Sequence, residues 1–141
     1  MKAFLDANLL IYLNTTTEQT RGIYDDFYTE LAANNRLYTD VLVLDELLYI
    51  SRKRYNVPYD LTTSFIDEVV LPFTEVLPLG LSEYKTSQEL LRDTHLKPSD
   101  ALHVASMILN SVTLIASEDR ELDGVSRIRR IWLPDSPTPH Q

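Results

Sequence analysis

The chain has 141 residues and no cysteine, and its 21 Asp and Glu against 13 Lys and Arg give a formal net charge of −8. This length fits one domain with its own core, and the lack of cysteine excludes disulfides and thiolate metal sites. No apolar run approaches the ~20 residues of a membrane span, and no long apolar signal segment opens the chain, so we expect a cytoplasmic protein without membrane contact.

The acidic balance bears on the choice of partner. Proteins that bind nucleic acid usually carry a basic footprint, which an excess of acids argues against. Bound cations would cancel part of that acidity locally. The basic residues are also clustered, at 52–54 and at Arg127, Arg129 and Arg130. The alternative for each cluster is an ordinary solvated face.

The first fourteen residues predict a strand that ends at Asp6 and a helix that begins directly after it. The apolar run 3–5 leads into Asp6 and Asn8, and a second apolar run, 9–13, follows. Open α/β sheets bind ligands beyond the carboxyl ends of their strands, so Asp6 would face the ligand crevice. The alternative is that Asp6 or Asn8 only caps the next helix.

The stretch from residue 18 to residue 50 predicts two helices with a strand between them. Apolar spacing of four residues predicts an amphipathic helix over 18–34, and a short strand follows at 37–39. The run 41–50 is apolar except at Asp45 and Glu46, which predicts a buried helix. Burying a carboxylate is costly unless it is paired with a cation or bound to a metal. One of these two acids therefore needs such a partner, unless both lie on a narrow solvent-exposed face of the helix.

Further along, Asp60 is expected to cap a helix that ends at Pro72, and a strand is expected at 73–77. An amphipathic helix over 82–95 is expected to turn three side chains inward: Tyr84, Leu90 and Leu91.

The last third of the chain contains the strongest helix signal. Pro98 and Asp100 stand where a helix start favours proline and an acid, and a small-residue helix follows to about residue 109. Strands are expected at 112–116 and 128–133, with a polar turn or short helix at 117–124 between them. The tail, 134–141, has three prolines and is expected to be irregular.

This alternation predicts an α/β fold over residues 1–133: a three-layer α/β/α sandwich with a mostly parallel sheet of about five strands. Asp6 and Asp119 follow strands, and Glu46 and Asp100 lie early on helices that begin at the same edge, so the four acids can converge. At about 4 Å each pair of charges repels by roughly 4 kcal/mol at an effective dielectric near 20, so such a cluster persists only with bound cations. Oxygen ligands without histidine or cysteine suit Mg²⁺ or Mn²⁺.

Four motifs in order resemble the PIN-domain family, especially the small VapC-type toxins of prokaryotic toxin–antitoxin pairs. They are the opening 6–12, Glu46, the segment 99–105 and the segment 117–122, where Leu122 stands in place of the family's usual aromatic residue. The resemblance covers nearly the whole chain to about Leu133.

The resemblance implies a metal-dependent endoribonuclease that hydrolyses RNA phosphodiester bonds. Four residues would hold one or two Mg²⁺ or Mn²⁺ ions and carry catalysis: Asp6, Glu46, Asp100 and Asp119. Asn8 and Ser117 would orient the site through hydrogen bonds. The implied partners are an RNA substrate, a small antitoxin protein and a second copy of the chain in a homodimer.

Several assignments stay open at this level. Asp45 competes with Glu46, and Asp123 competes with Asp119, because the phase of each helix decides between them. His103 is read as a packing residue or an outer support of the site, because the acids already supply a set of ligands for a hard metal.

Other functions also remain as alternatives. A phosphoacceptor domain of the receiver or haloacid-dehalogenase type has strand-end aspartates, but the dehalogenase type wants an acid where this chain has Asn8. A housekeeping RNA-processing PIN nuclease, or a PIN-like module that binds without catalysis, would share the fold. The four acids argue against the last, because strain of this kind is kept for function.

Overall fold

The computed structural model describes residues 1–133, so the tail expected to be irregular, 134–141, lies outside the described residues. Within the described range five strands form one sheet. They are β1 (Lys2–Leu5), β2 (Arg36–Asp40), β3 (Thr74–Leu77), β4 (Leu114–Ala116) and β5 (Arg129–Ile131). The order across the sheet is β3-β2-β1-β4-β5, and every neighbouring pair is parallel.

The connections between the strands carry six α-helices in the described part of the chain. They are α1 (Ala7–Thr15), α2 (Glu18–Asn34), α3 (Val41–Tyr55), α4 (Tyr59–Phe65), α5 (Leu81–Asp93) and α6 (Pro98–Leu109). A π-helical turn, Ile66–Val70, prolongs α4, and a 3₁₀ turn, Arg120–Gly124, joins β4 to β5.

The three-layer arrangement follows from the strand order. The chain moves outward from β1 to β3 and then returns across the sheet to β4, so right-handed crossovers place α1–α4 on one face and α5–α6 on the other. In agreement, α1 packs against α2 and α3, and α5 packs against α6. The predicted α/β/α sandwich is confirmed.

The central strand, β1, is covered on both faces. Ala3, Phe4 and Leu5 have no exposed surface, which explains why the strand is a continuous apolar run rather than an alternating one. Because all five strands are parallel, their carboxyl ends meet at one edge of the sheet. The residue that follows β1, Asp6, therefore lies at the middle of that edge.

A buried polar network fixes the helix that carries Glu46. The amide nitrogen of Asn14, on α1, donates to the hydroxyls of Ser51 on α3 and Thr62 on α4, both at 2.9 Å. Ser51 and Thr62 have no exposed surface. Buried polar groups that are hydrogen-bonded in this way specify one packing arrangement, so α3 has a defined position relative to α1.

The expectation that the helix at 41–50 is wholly buried was wrong. On α3 only a stripe with a spacing of four residues is buried, formed by Val43, Leu47 and Ser51. Val41 is 57% exposed and Tyr49 is 50% exposed. The helix packs against neighbours on one side only, and it continues beyond residue 50 to Tyr55.

Two of the three side chains expected to point inward from α5 are exposed. Leu90 is buried, whereas Tyr84 and Leu91 are exposed. The inward positions are taken instead by Ser87 and by Glu83, whose Oε1 accepts a hydrogen bond from the backbone N–H of Gly80 at 2.7 Å. A polar residue that satisfies the start of its own helix can be buried there.

Element boundaries moved by a few residues elsewhere. Asp60 lies in the first turn of α4 rather than at its cap, which is Pro58. The last two strands, β4 and β5, are each three residues long and shorter than expected. No helix in residues 1–133 has the length and apolar character to cross a membrane.

Candidate metal centre

Asp6 lies at the carboxyl end of β1 and is almost completely buried, with 6% of its surface exposed. Its Oδ1 accepts from the backbone N–H of Ala7 at 2.8 Å, at the start of α1. Its Oδ2 accepts from the hydroxyl of Ser117 at 2.6 Å. Asp6 therefore caps α1, which confirms one of the two interpretations, and it lies at the edge of the sheet where the other interpretation expects a ligand crevice.

Ser117, which follows β4, joins the ends of two adjacent strands. Its hydroxyl donates to Asp6 and accepts from the side-chain amide of Asn8 at 3.3 Å and from the backbone N–H of Asp119 at 3.1 Å. These three bonds use the one donor and both acceptor positions of a hydroxyl. The Asn8 side chain also accepts from the backbone N–H of Glu118 at 3.2 Å. Asn8 and Ser117 thus fix the two strand-end acids relative to each other.

Asp119 is half-buried and starts the 3₁₀ turn after β4, where its Oδ1 accepts from the backbone N–H of Glu121 at 2.9 Å. Its competitor, Asp123, is exposed and accepts two hydrogen bonds from Arg130, at 2.9 and 3.1 Å. That guanidinium lowers the pKa of Asp123. Asp119 is one of the charges that raise the pKa of Asp100, whereas Asp123 is engaged in an ion pair.

Asp100, in the first turn of α6, has the most unusual electrostatic environment of the four acids. Burial raises its pKa to about 6, and the charges of Asp6, Asp119 and Glu46 act in the same direction, while His103 opposes them. The three other acids predicted for the site are therefore all close enough to act on this carboxyl. Among residues 1–133 no side chain or backbone group donates a hydrogen bond to it.

Glu46 lies in the second turn of α3, at the exposed rim of the cluster. Partial burial of its carboxyl raises its pKa, and the charge of Asp6 adds to the increase. The charge of its competitor, Asp45, also raises the pKa of Glu46, but it is not among the charges that shift the pKa of Asp100. The helix phase therefore turns Glu46 rather than Asp45 toward the other acids.

The sequence analysis missed Asp40, which has no exposed surface at the end of β2. Its Oδ1 caps α3 by accepting from the backbone N–H of Val43 at 3.0 Å, and its Oδ2 lies 2.6 Å from Nδ1 of His103. The signal was present in the sequence: an acid directly after a strand and directly before a helix, as at Asp6. His103 packs beside the ring of Phe4, with the ring centroids 5.6 Å apart.

Asp40 and His103 form a pair of ionisable side chains in the interior of the protein. Burial disfavours the imidazolium, but the hydrogen bond and charge of Asp40, together with Asp6 and Asp100, outweigh burial and raise the pKa of His103. The packing role expected for this histidine is therefore joined by an electrostatic one.

These residues fit a divalent cation. One carboxylate oxygen of Asp6, one of Asp100 and a ring nitrogen of His103 all lie within 4.8 Å of one another. The carboxylates of Asp100 and Glu46 accept no hydrogen bond within residues 1–133, so their oxygen lone pairs are available. Hard oxygen donors of this kind suit Mg²⁺ or Mn²⁺.

An aromatic group beside the cluster was also not foreseen. The Tyr12 hydroxyl donates to Oε1 of Glu118 at 2.6 Å, and this bond is the main cause of the raised pKa of Tyr12. Tyr12 stacks on Tyr24 with ring centroids 4.6 Å apart, and Trp132 lies against both. The rim of the site next to Asn8 is therefore aromatic.

Comparisons with known proteins agree with this arrangement. The PIN-domain family model matches residues 3–128. Ribonuclease VapC13 of Mycobacterium tuberculosis is 33% identical over 104 residues, which are 72% of this chain and 76% of that protein.

Two solved structures share the fold. VapBC2 from Rickettsia felis, bound to a DNA fragment from its promoter, superposes with a TM-score of 0.73 at 17% identity and covers 95% of this chain and 100% of its own. A toxin–antitoxin complex from Klebsiella pneumoniae superposes with a TM-score of 0.67 at 17% identity, covering 90% of this chain and 95% of its own. At these identities the two structures establish the fold alone.

Proposed function

The chain belongs to the PIN-domain family, and from that membership we propose that it is a VapC-type ribonuclease: a Mg²⁺- or Mn²⁺-dependent endoribonuclease and the toxin of a toxin–antitoxin pair. The observation that carries the proposal is the convergence of four carboxylates on one edge of the sheet, where two of them have no hydrogen-bond donor within the described residues. The relative with 33% identity is itself a ribonuclease by name.

Each residue of the cluster has a defined part in this proposal. Asp6, Glu46, Asp100 and Asp119 would hold the ion or ions. A divalent ion held by these carboxylates would supply a coordinated water of lowered pKa as the nucleophile and would compensate the charge on the leaving oxygen. Ser117 and Asn8 hold the two strand-end carboxylates in position by hydrogen bonds, and supports of this type commonly change metal affinity or activity 10–100-fold when removed.

The same cluster makes RNA binding depend on the cation. Four carboxylates repel a phosphodiester, and each close pair of charges costs roughly 4 kcal/mol at 4 Å with an effective dielectric near 20. Before a phosphate can approach Asp100, the charge of the cluster has to be compensated. We therefore expect RNA affinity at this site, and not only cleavage, to require the divalent ion.

An RNA cleavage assay tests the proposal. The wild-type chain should convert an RNA pool to shorter products with Mg²⁺ or Mn²⁺ and give none with excess EDTA. Asp100→Asn should reduce cleavage by more than about 100-fold, because loss of a ligand should exceed the 10–100-fold effect of losing an outer support. Asp60→Asn, which changes an exposed acid on α4, is the matched control and should cleave normally.

The alternatives predict different results. Full activity in EDTA, or in Asp100→Asn, would contradict the metal mechanism. A chain that binds metal but cleaves no RNA would be the non-catalytic module. A nuclease that no neighbouring gene product inhibits would be the housekeeping enzyme.

The proposed partners are a small antitoxin and a second copy of the chain. Exposed apolar side chains are concentrated between residues 41 and 76, and they include Leu61 at 58% and Phe73 at 61%. Contiguous exposed apolar surface is typical of a protein interface, and we propose that this part of the chain forms one. Light scattering should give the mass of a dimer for the wild type and of a monomer for Leu61→Lys combined with Phe73→Lys. A wild type that stays monomeric at high concentration would contradict the dimer.

A further inference from the structure

We propose that His103 is a nitrogen ligand of the divalent ion, presented by the buried carboxylate of Asp40. The inference rests on the proposed metal dependence and extends it, because the four acids alone would make an all-oxygen site. It concerns two residues outside the set of four acids: His103, which was interpreted as a packing residue or an outer support, and Asp40, which was not predicted from the sequence.

The geometry of Asp40 leaves one nitrogen of His103 for the site. Oδ1 of Asp40 is bound to the backbone N–H of Val43, and Oδ2 lies 2.6 Å from Nδ1 of His103. Because a carboxylate can only accept, Nδ1 carries the proton and donates it to Asp40. Histidines that bind metals usually donate the other ring N–H to a carboxylate or carbonyl in this way, which fixes the tautomer and the ring orientation.

The contact with Asp40 leaves the other ring nitrogen, Nε2, without a hydrogen bond within residues 1–133. A ring nitrogen of His103 and one oxygen each of Asp6 and Asp100 lie within 4.8 Å of one another. His103 is only 4% exposed, and in residues 1–133 its Asp40 contact is the single side-chain hydrogen bond of its ring. The three donor atoms are thus close without being bonded to one another.

Within residues 1–133 the ring of His103 makes no hydrogen bond to Asp6 or Asp100, although the donor atoms lie within 4.8 Å of one another, and this favours a shared ion over a direct contact. If His103 only supported a carboxylate, its Nε2 would lie about 2.7–2.9 Å from that oxygen, as charge-assisted hydrogen bonds do. Donors on opposite sides of an ion with bonds of about 2.1 Å are instead about 4.2 Å apart. The cluster of Asp6, Asp100 and His103 therefore needs little rearrangement to close around a cation.

A nitrogen ligand has a consequence for metal preference. Mg²⁺ takes oxygen ligands almost exclusively, whereas imidazole binds transition metals, and affinity rises from Mn²⁺ toward later members of the series. The ion next to His103 should therefore be Mn²⁺ in preference to Mg²⁺. Replacing His103 should weaken Mn²⁺ binding more than Mg²⁺ binding.

Electron spin-echo spectroscopy of bound Mn²⁺ tests the inference without an activity assay. The full chain, loaded with Mn²⁺ alone, should show modulation from a coordinated ¹⁴N nucleus. Protein labelled with ¹⁵N only at histidine should lose that ¹⁴N modulation. His103→Gln should also lose it and should raise the Kd for Mn²⁺ at least tenfold, the lower end of the effect of an outer support. His95→Gln, at an exposed position, is the matched control and should keep both signal and affinity.

The outcomes separate this inference from the function on which it rests. Mn²⁺ that binds tightly without a histidine nitrogen would overturn the ligand role of His103 and leave the metal-dependent nuclease intact. A ¹⁴N signal that persists in His103→Gln would overturn it as well. No Mn²⁺ binding at all would overturn both proposals. Because the isotope experiment uses the wild-type chain, the inference can be tested even if the His103 variant does not fold.

Discussion

The two halves of the acidic cluster are built differently. The strand-borne half, Asp6 and Asp119, is held by hydrogen bonds from Ala7, Ser117 and Glu121. The helix-borne half, Glu46 and Asp100, accepts no hydrogen bond within the described residues, and burial and like charge raise the pKa of both its members. The protein therefore supplies hydrogen bonds to one half of the cluster and, within the described residues, none to the carboxylates of the other half.

This difference assigns separate tasks to the two halves. Hydrogen bonds to a carboxylate stabilise its charged form, whereas burial beside like charges destabilises it. The strand-borne acids form a frame that needs no ion. From the proposed metal dependence, we expect the helix-borne acids to reduce the stability of the metal-free fold and a bound cation to restore it. Substitutions in the two halves should therefore change stability in opposite directions.

The largest change in stability is expected for a substitution that removes hydrogen bonds from the strand-borne half. Ser117→Ala removes the donor to Asp6 and the acceptor for Asn8 and for the backbone of Asp119. Hydrogen bonds to charged groups contribute about 1.5–3 kcal/mol each, so metal-free stability should fall by about 2–3 kcal/mol. Denaturant unfolding in EDTA measures this. Ser126→Ala, in an exposed loop, is the control and should be neutral.

The opposite sign is expected for Asp100→Asn. Its pKa near 6 is about two units above the ordinary value, which converts to about 3 kcal/mol, but screening of this half-buried group reduces the figure to roughly 1 kcal/mol. The metal-free variant should melt a few degrees higher than the wild type in EDTA at pH 7.5. A melting temperature below that of the wild type would show that Asp100 stabilises the start of α6 and is not destabilised by the other acids.

The raised pKa values of the helix-borne half predict that the stability of the metal-free protein depends on pH. A carboxyl whose folded pKa is raised contributes stability that is fully present below its unfolded pKa and is lost as pH rises through the folded value. For Asp100 that loss is centred near pH 6, and Glu46 and His103, whose pKa values are also raised, act in the same direction. Metal-free protein should therefore melt at a higher temperature at pH 5.5 than at pH 7.5.

One variant and one addition of metal test the origin of this pH dependence. Asp100→Asn should make it shallower, and saturating Mn²⁺ should stabilise the wild type most at the higher pH, by about 2.7 kcal/mol at one hundred times the Kd. A melting temperature that rises with pH between 5.5 and 7.5 would contradict the account.

The smallest effect separates two neighbouring acids. Glu46→Gln should raise metal-free stability by a few tenths of a kcal/mol, because its side chain is exposed and its charge is screened. It should also weaken Mn²⁺ binding. Asp45→Asn should change neither quantity measurably. If Asp45→Asn weakens metal binding and Glu46→Gln does not, then Asp45, and not Glu46, faces the site.

The sequence predicted the parts of the site that depend on neighbours along the chain. An apolar run followed by Asp6 marks a strand end, and Pro98 with Asp100 marks a helix start, so the parallel fold and the convergence of the acids could be inferred. The four acids were treated alike, however, because the bond from Ser117 to Asp6 joins residues 111 positions apart. Asp40 was missed for the same reason, since its partner His103 is 63 residues away.

Errors in burial had a related cause. A helix that is apolar on most sides, such as α3, was expected in the interior, but packing against α1 covers one stripe of it and leaves Val41 and Tyr49 exposed. The number of apolar residues in a helix does not indicate which of its faces another helix covers. The exposed side of α3 is part of the surface between residues 41 and 76 for which a partner chain is proposed.

Anomalous diffraction from crystals grown with Mn²⁺ tests the central claim most directly, namely that the two halves of the cluster close around a divalent ion. The account predicts a peak at the carboxyl edge of the sheet, about 2.0–2.3 Å from carboxylate oxygens of Asp6 and Asp100, with Glu46 and Asp119 around it. A map without a peak at this edge, or with Mn²⁺ bound only elsewhere on the chain, would contradict it.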